Sequence, residues 1–154
     1  MAKIKLERKE GAFGFVATDE MGHLLQTDSS RENGGNDYGF RPMQLLLAAL
    51  GSCSAIDMVA ILSKQRQEIS DMVIEIEGER EKDVIPSLWK TISVVYNLKG
   101  NIDAEKAEKA ATLSMEKYCS VAETLRRGGT AITWKVNVET TLTITEWTMT
   151  VAPI

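Results

Sequence analysis

The chain has 154 residues and a formal net charge of -4 at pH 7. Its length suits one domain that buries about two-thirds of its unfolded surface without a covalent staple. Acidic and basic residues are interspersed, which argues against a sequence-independent nucleic-acid binder, since that needs lysine and arginine gathered on one face. The N-terminal stretch MAKIKLERKEGAFGF lacks the apolar core of a secretion signal, so a cytoplasmic protein is expected.

In chain order, residues 3–8, 12–18 and 22–28 alternate apolar and polar side chains and predict three strands in an antiparallel meander. His23, the single histidine, is expected at the surface, because one histidine does not make a metal site. Residues 29–41, SSRENGGNDYGFR, are turn-formers throughout and predict a loop that carries Arg31 and Arg41 toward the next element. That element, 41–62, reads RPMQLLLAALGSCSAIDMVAIL. Pro42 suits a first helical turn, and the apolar residues that follow fall on every side, so a core helix buried all round is expected. Asp57 and the small polar residues Ser52 and Ser54 interrupt the run, which argues against a membrane span. Cys53 sits mid-helix within the small-residue run Gly51 to Ser54, which leaves room for another backbone or a small ligand beside the thiol. Asp57 lies one turn later on the same face.

Beyond a polar stretch, 72–79 and 89–98 alternate as strands of a hairpin, with Ile92, Val94 and Tyr96 on one face. Asp103 is an expected N-cap for a half-exposed helix over 104–118. Ser120-Val121-Ala122-Glu123 has the form of a capping box, which predicts a short helix with Cys119 just before it. The positive end of a helix favours a thiolate, so Cys119 is expected to carry a local device for activation. Cys53, in apolar surroundings, needs a cation from elsewhere. Residues 131–138 alternate Ile132, Trp134, Val136 and Val138 as a strand, and the phase slip after Leu142 and Ile144 places a bulge or turn near Glu146.

A proline followed by LLLAALGSCSAIDMVAIL, a strand pair, a helix ending in EKYCSV and a final strand resemble the OsmC/Ohr superfamily of thiol-dependent peroxidases, in its OsmC-like (YhfA-like) branch. The likeness implies an α+β fold of antiparallel sheets wrapped around central helices in an intertwined homodimer, with a single domain over 1–138 and a strand-like extension over 139–154. By the same resemblance Cys53 matches the peroxidatic cysteine and Cys119 the resolving one. Met43 stands where the peroxidases carry a glutamate, and the activating arginine falls to Arg31 or Arg41, with Arg80 a weaker candidate. The implied partners are an organic hydroperoxide and an external dithiol reductant, with no cofactor, metal, nucleic acid or membrane. The rival reading is a non-catalytic redox sensor or binder of an apolar small molecule, turnover having gone with the glutamate. In either case Phe40, Leu46, Leu50 and Met58 are the expected apolar lining.

Overall fold

A computed structural model describes residues 1–140. Its first part is the expected meander: β1 (Lys5–Glu10), β2 (Gly14–Thr18) and β3 (Leu24–Thr27), paired antiparallel in the order β1-β2-β3. The chain then turns back along β3, where Phe40 N–H donates to Gln26 and Asp28 N–H to Phe40, both at 3.0 Å. This return delivers Pro42 to the start of α1 (Pro42–Lys64). Next come the long hairpin β4 (Glu68–Arg80) and β5 (Trp89–Asn101), then α2 (Ala104–Leu113), a π-helical turn (Ser114–Tyr118), α3 (Ser120–Arg127) and β6 (Ala131–Thr140).

The second sheet has the order β4-β5-β6, and β6 runs parallel to β5. It is therefore mixed, whereas antiparallel sheets were expected. The reason lies in the connection: a helical crossover through α2 and α3 returns the chain to the end where β5 began, and such a crossover joins parallel strands. A period of two in the side chains is common to both pairings and does not distinguish them. β6 continues through Glu139 and Thr140, opposite Lys99 and Gly100, so the first two residues assigned to a C-terminal extension are strand. The bulge expected near Glu146 lies outside the described residues.

The core forms where α1 lies on this second sheet. Leu50, Met58 and Leu62 of α1 meet Ile92, Val94, Tyr96 and Leu98 of β5, all nearly inaccessible, and Ala107, Ala110 and Ala111 bring α2 close. Each large apolar side chain buried here contributes roughly 1.5–3 kcal/mol. Helix and sheet approach so closely that a Cβ on Gly51 would lie 2.5 Å from Ile76 Cδ1. Gly51 thus admits a sheet side chain, where the sequence suggested a backbone or a ligand.

Among the described residues of one chain α1 is covered on one side only, against the expectation of burial all round. Ile56 is 70% exposed, and Leu46 and Val59 are also exposed. The helix packs on β4, α2 and α3, and the β1-β2-β3 sheet is not among its principal partners. That sheet leaves Leu6, Leu24 and Leu25 exposed, as is Phe13 in the turn between β1 and β2. The loop between β3 and α1 is nonetheless well built. The buried Asp28 carboxylate accepts the backbone N–H groups of Ser29 at 2.7 Å, Asn36 at 2.8 Å and Tyr38 at 3.0 Å. These donors, Tyr38 foremost, hold the carboxyl below the usual aspartate range.

Candidate thiol site

Cys53, half-buried, projects from the middle of α1 toward the core, and Cys119 is buried at the N-cap of α3. The two thiols, far apart in sequence, are neighbours: both pack in the same core cluster, and the Cys53 thiol helps raise that of Cys119. α1 supplies one partner, and the sharp exit from the π-helical turn supplies the other.

The local chemistry of Cys119 differs from its expectation in two ways. First, Ser120 is inside α3, and Cys119 is itself the cap, its sulfur accepting Ala122 N–H at 3.4 Å. The Ser-x-x-Glu pattern is thus one residue late. Second, the helix end does not produce a thiolate. Burial pushes the Cys119 thiol up to about 11, with the Cys53 thiol adding to the rise, and the amides of Ala122 and Val121 only partly offset it. Three per cent exposure removes more solvation than two N–H groups replace. Cys119 is therefore a neutral thiol at neutral pH.

Beside the thiols runs a buried polar chain that sequence reasoning left unassembled. Tyr96 O–H donates to Ser54 Oγ at 2.6 Å, and Ser54 Oγ donates to the Leu50 carbonyl at 2.8 Å. Burial raises Tyr96 to about 12, with the charges of Cys119, Asp57 and Cys53 contributing, which places all four groups in one neighbourhood. Ser114 Oγ donates to Asp57 Oδ2 at 2.9 Å and approaches the Ser54 carbonyl at 3.3 Å. The one signal available in the sequence was Tyr96 itself, a polar tip in the buried row Ile92, Val94, Tyr96, Leu98.

The candidate arginines lie elsewhere. Arg31 is exposed and paired with Asp37 across its own loop. Arg41 is exposed and caps α1 through its backbone, its N–H donating to Gln44 Oε1 at 3.0 Å. It precedes Cys53 by about 18 Å of helix rise, beyond the reach of one side chain within the same chain. Arg80 donates to the Ser87 carbonyl and stacks over Trp89, 5.8 Å from the ring centre. Met43, which stands where the resemblance implies a glutamate, packs against the core, and its carbonyl accepts Trp89 Nε1–H at 3.1 Å. His23 is exposed and bonded to Asp19. Of the expected lining, Leu50 and Met58 are in the core and Leu46 is on the open side of α1. Phe40 lines a separate cavity of about 770 Å³ with Val16, Leu24, Leu25 and Tyr38. No group of three or more histidine, cysteine or carboxylate side chains among the described residues is arranged to hold a metal.

An α+β chain with a cysteine at mid-helix, met by a second at the cap of a later short helix, defines a class. The family model described as OsmC-like protein matches residues 34–135, and the chain belongs to that family. Within it the chain falls on the YhfA-like branch: it is 36% identical over 114 residues to Protein YhfA of Escherichia coli (strain K12), covering 73% of this chain and 81% of the relative. A hypothetical protein from Aquifex aeolicus VF5 shares the fold with a TM-score of 0.74 at 31% identity, over 90% of this chain and 98% of that one. The organic hydroperoxide resistance protein OsmC of Legionella pneumophila shares the fold alone, with a TM-score of 0.68 at 18% identity, over 90% of this chain and 97% of that one.

Proposed function

We propose that the protein is a thiol-dependent reductase of organic hydroperoxides, working as a homodimer, with Cys53 the attacking cysteine and Cys119 the resolving one. The observation that carries this reading is that a partly accessible Cys53 neighbours a buried, neutral Cys119. The Cys53 thiolate attacks the distal oxygen of the hydroperoxide; the O–O bond breaks, the alkoxide takes a proton and leaves as alcohol, and Cys53 becomes a sulfenic acid. The Cys119 thiol then displaces hydroxide from that sulfur, its own proton completing a water molecule, and a disulfide remains. An external dithiol reduces it by exchange. A neutral resolving thiol suits this order, since it does not compete for peroxide. Members of the same fold named for organic hydroperoxide resistance are consistent with the substrate class.

The dimer follows from the uncovered apolar surfaces. The open side of α1 and the exposed leucines of the meander are apolar surfaces that a second copy would bury. In that assembly an arginine reaching Cys53 comes from the partner copy, because Arg41 is too far along its own helix.

One observation favours the non-catalytic alternative. Met43 replaces the family glutamate and is turned into the core, and within one chain no candidate arginine stands at Cys53. The two readings separate on one experiment. With an organic hydroperoxide, Cys119→Ser is expected to stop at a sulfenic acid on Cys53 that dimedone traps, and Cys53→Ser to leave Cys119 reduced. Reaction of Cys53 no faster than free cysteine would overturn the reductase and leave the sensor or binder.

A further inference from the structure

The five residues between α2 and Cys119 form a π-helical turn, a rare and poorly bonded geometry in an otherwise regular helix. Its closing hydrogen bond runs from Cys119 N–H to the Ser114 carbonyl at 2.8 Å. Ser114 is wholly buried, and its hydroxyl hydrogen has one charged acceptor, Asp57 Oδ2 at 2.9 Å. Asp57 stands on α1 one turn beyond Cys53. One continuous path therefore joins the two cysteines without passing through sulfur: along α1 from Cys53 to Asp57, across to Ser114, and through the Ser114 carbonyl to the amide of Cys119.

We propose that Asp57 and Ser114 are positioning residues that clamp this turn to α1 and thereby hold Cys119 against Cys53 for disulfide formation. Neither touches the peroxide. The inference rests on the resolving role assigned to Cys119, but its physical content is the effective concentration of one thiol at the other. A second tether supports the same turn, as Arg126 donates to the Met115 carbonyl at 2.5 Å. Loss of the clamp therefore loosens the turn without releasing it altogether. Asp57 is only partly buried and borders an open cleft of about 400 Å³ with Lys64 and Tyr118, so its replacement leaves no stranded charge and little cavity.

The test equilibrates the full chain in glutathione buffers, where two thiols and one oxidised glutathione give the intrachain disulfide and two reduced glutathiones. Free thiols counted across the buffer series yield the effective concentration of Cys119 at Cys53. Ser114→Ala is expected to lower it by roughly tenfold, as loosened geometry lowers intramolecular advantage, and Asp57→Ala by less, since the Ser114 hydroxyl keeps the Ser54 carbonyl of α1 at 3.3 Å. Asp57→Asn, which keeps an acceptor oxygen, is expected to retain most of the parent value. A fold-wide weakening would move the urea midpoint but would not distinguish Asn from Ala in this way. Parent-like values for both alanine variants would overturn the clamp, and so would a parent chain that forms no disulfide in any buffer. A parent that pairs in glutathione yet is not oxidised at Cys53 by hydroperoxide would remove the reductase and leave the clamp standing.

Discussion

The two sheets of this chain solve the same problem differently. The β4-β5-β6 sheet has its own cover: α1 and α2 lie against it, and its central strand buries Ile92, Val94, Tyr96 and Leu98. Among the described residues the β1-β2-β3 sheet has no such cover and keeps its leucines exposed, yet the loop that follows it is tied by three amides to one carboxylate. One region is held by apolar burial and the other by polar bonds and turn geometry. Both cysteines sit on the first, where burial sets the state of Cys119, and the second is the part with most to gain from another copy.

The contrast can be broken from either side. Leu50→Ala opens a cavity at the heart of the first region and is expected to cost about 2–5 kcal/mol, read as a lower urea midpoint shared by β4, β5 and β6. In the second region Gly39→Ala puts a Cβ 2.2 Å from the Gln26 carbonyl, and overpacking of this kind costs roughly 1–3 kcal/mol. Amide exchange is expected to show protection lost in β1 to β3 and kept in β5; uniform loss in both sheets would erase the distinction.

Smaller effects appear with pH, at opposite ends of the scale. Asp28 has a depressed pKa in the folded chain, so its contribution is present above the unfolded value of about 3.9 and is lost as pH falls through the folded one. Asp28→Asn should flatten that acid limb in the meander amides. Cys119 has a raised pKa, so the folded state is favoured below the unfolded value of about 8.5, and stability falls as pH rises from there toward about 11. Cys119→Ala should flatten that alkaline limb and leave the acid one unchanged.

Much of this was legible in the residues, and what was not has physical causes. The alternation in β5 identified its buried face, and Asp103 was readable as a cap because its side chain reaches Lys106 N–H at 2.9 Å, three residues on. Pro42 marked the start of α1 for an equally local reason. The parallel pairing of β6 was hidden, since strand alternation records which face is buried and not strand direction. The π-helical turn was hidden too: Ser114 to Tyr118 continues the composition of α2, and what distinguishes it is tertiary, the bonds of Ser114 to Asp57 and Ser54 and of Arg126 to the Met115 carbonyl. Proximity of Arg31 and Arg41 to the cysteine helix in sequence suggested proximity in space, but a salt bridge to Asp37 and the length of α1 keep them away. Cys119 was misjudged because the helix end is visible in sequence and the burial that outweighs it is not.

The meeting of Cys53 and Cys119 is the claim on which the account depends. Its most direct measurement is peptide mapping by mass spectrometry, under non-reducing conditions, after one equivalent of organic hydroperoxide. The account predicts a single bond joining the Cys53 and Cys119 peptides within one chain, with no cross-link between chains and no sulfinic acid. Oxidation that left Cys119 free, or that joined two chains through either cysteine, would contradict it.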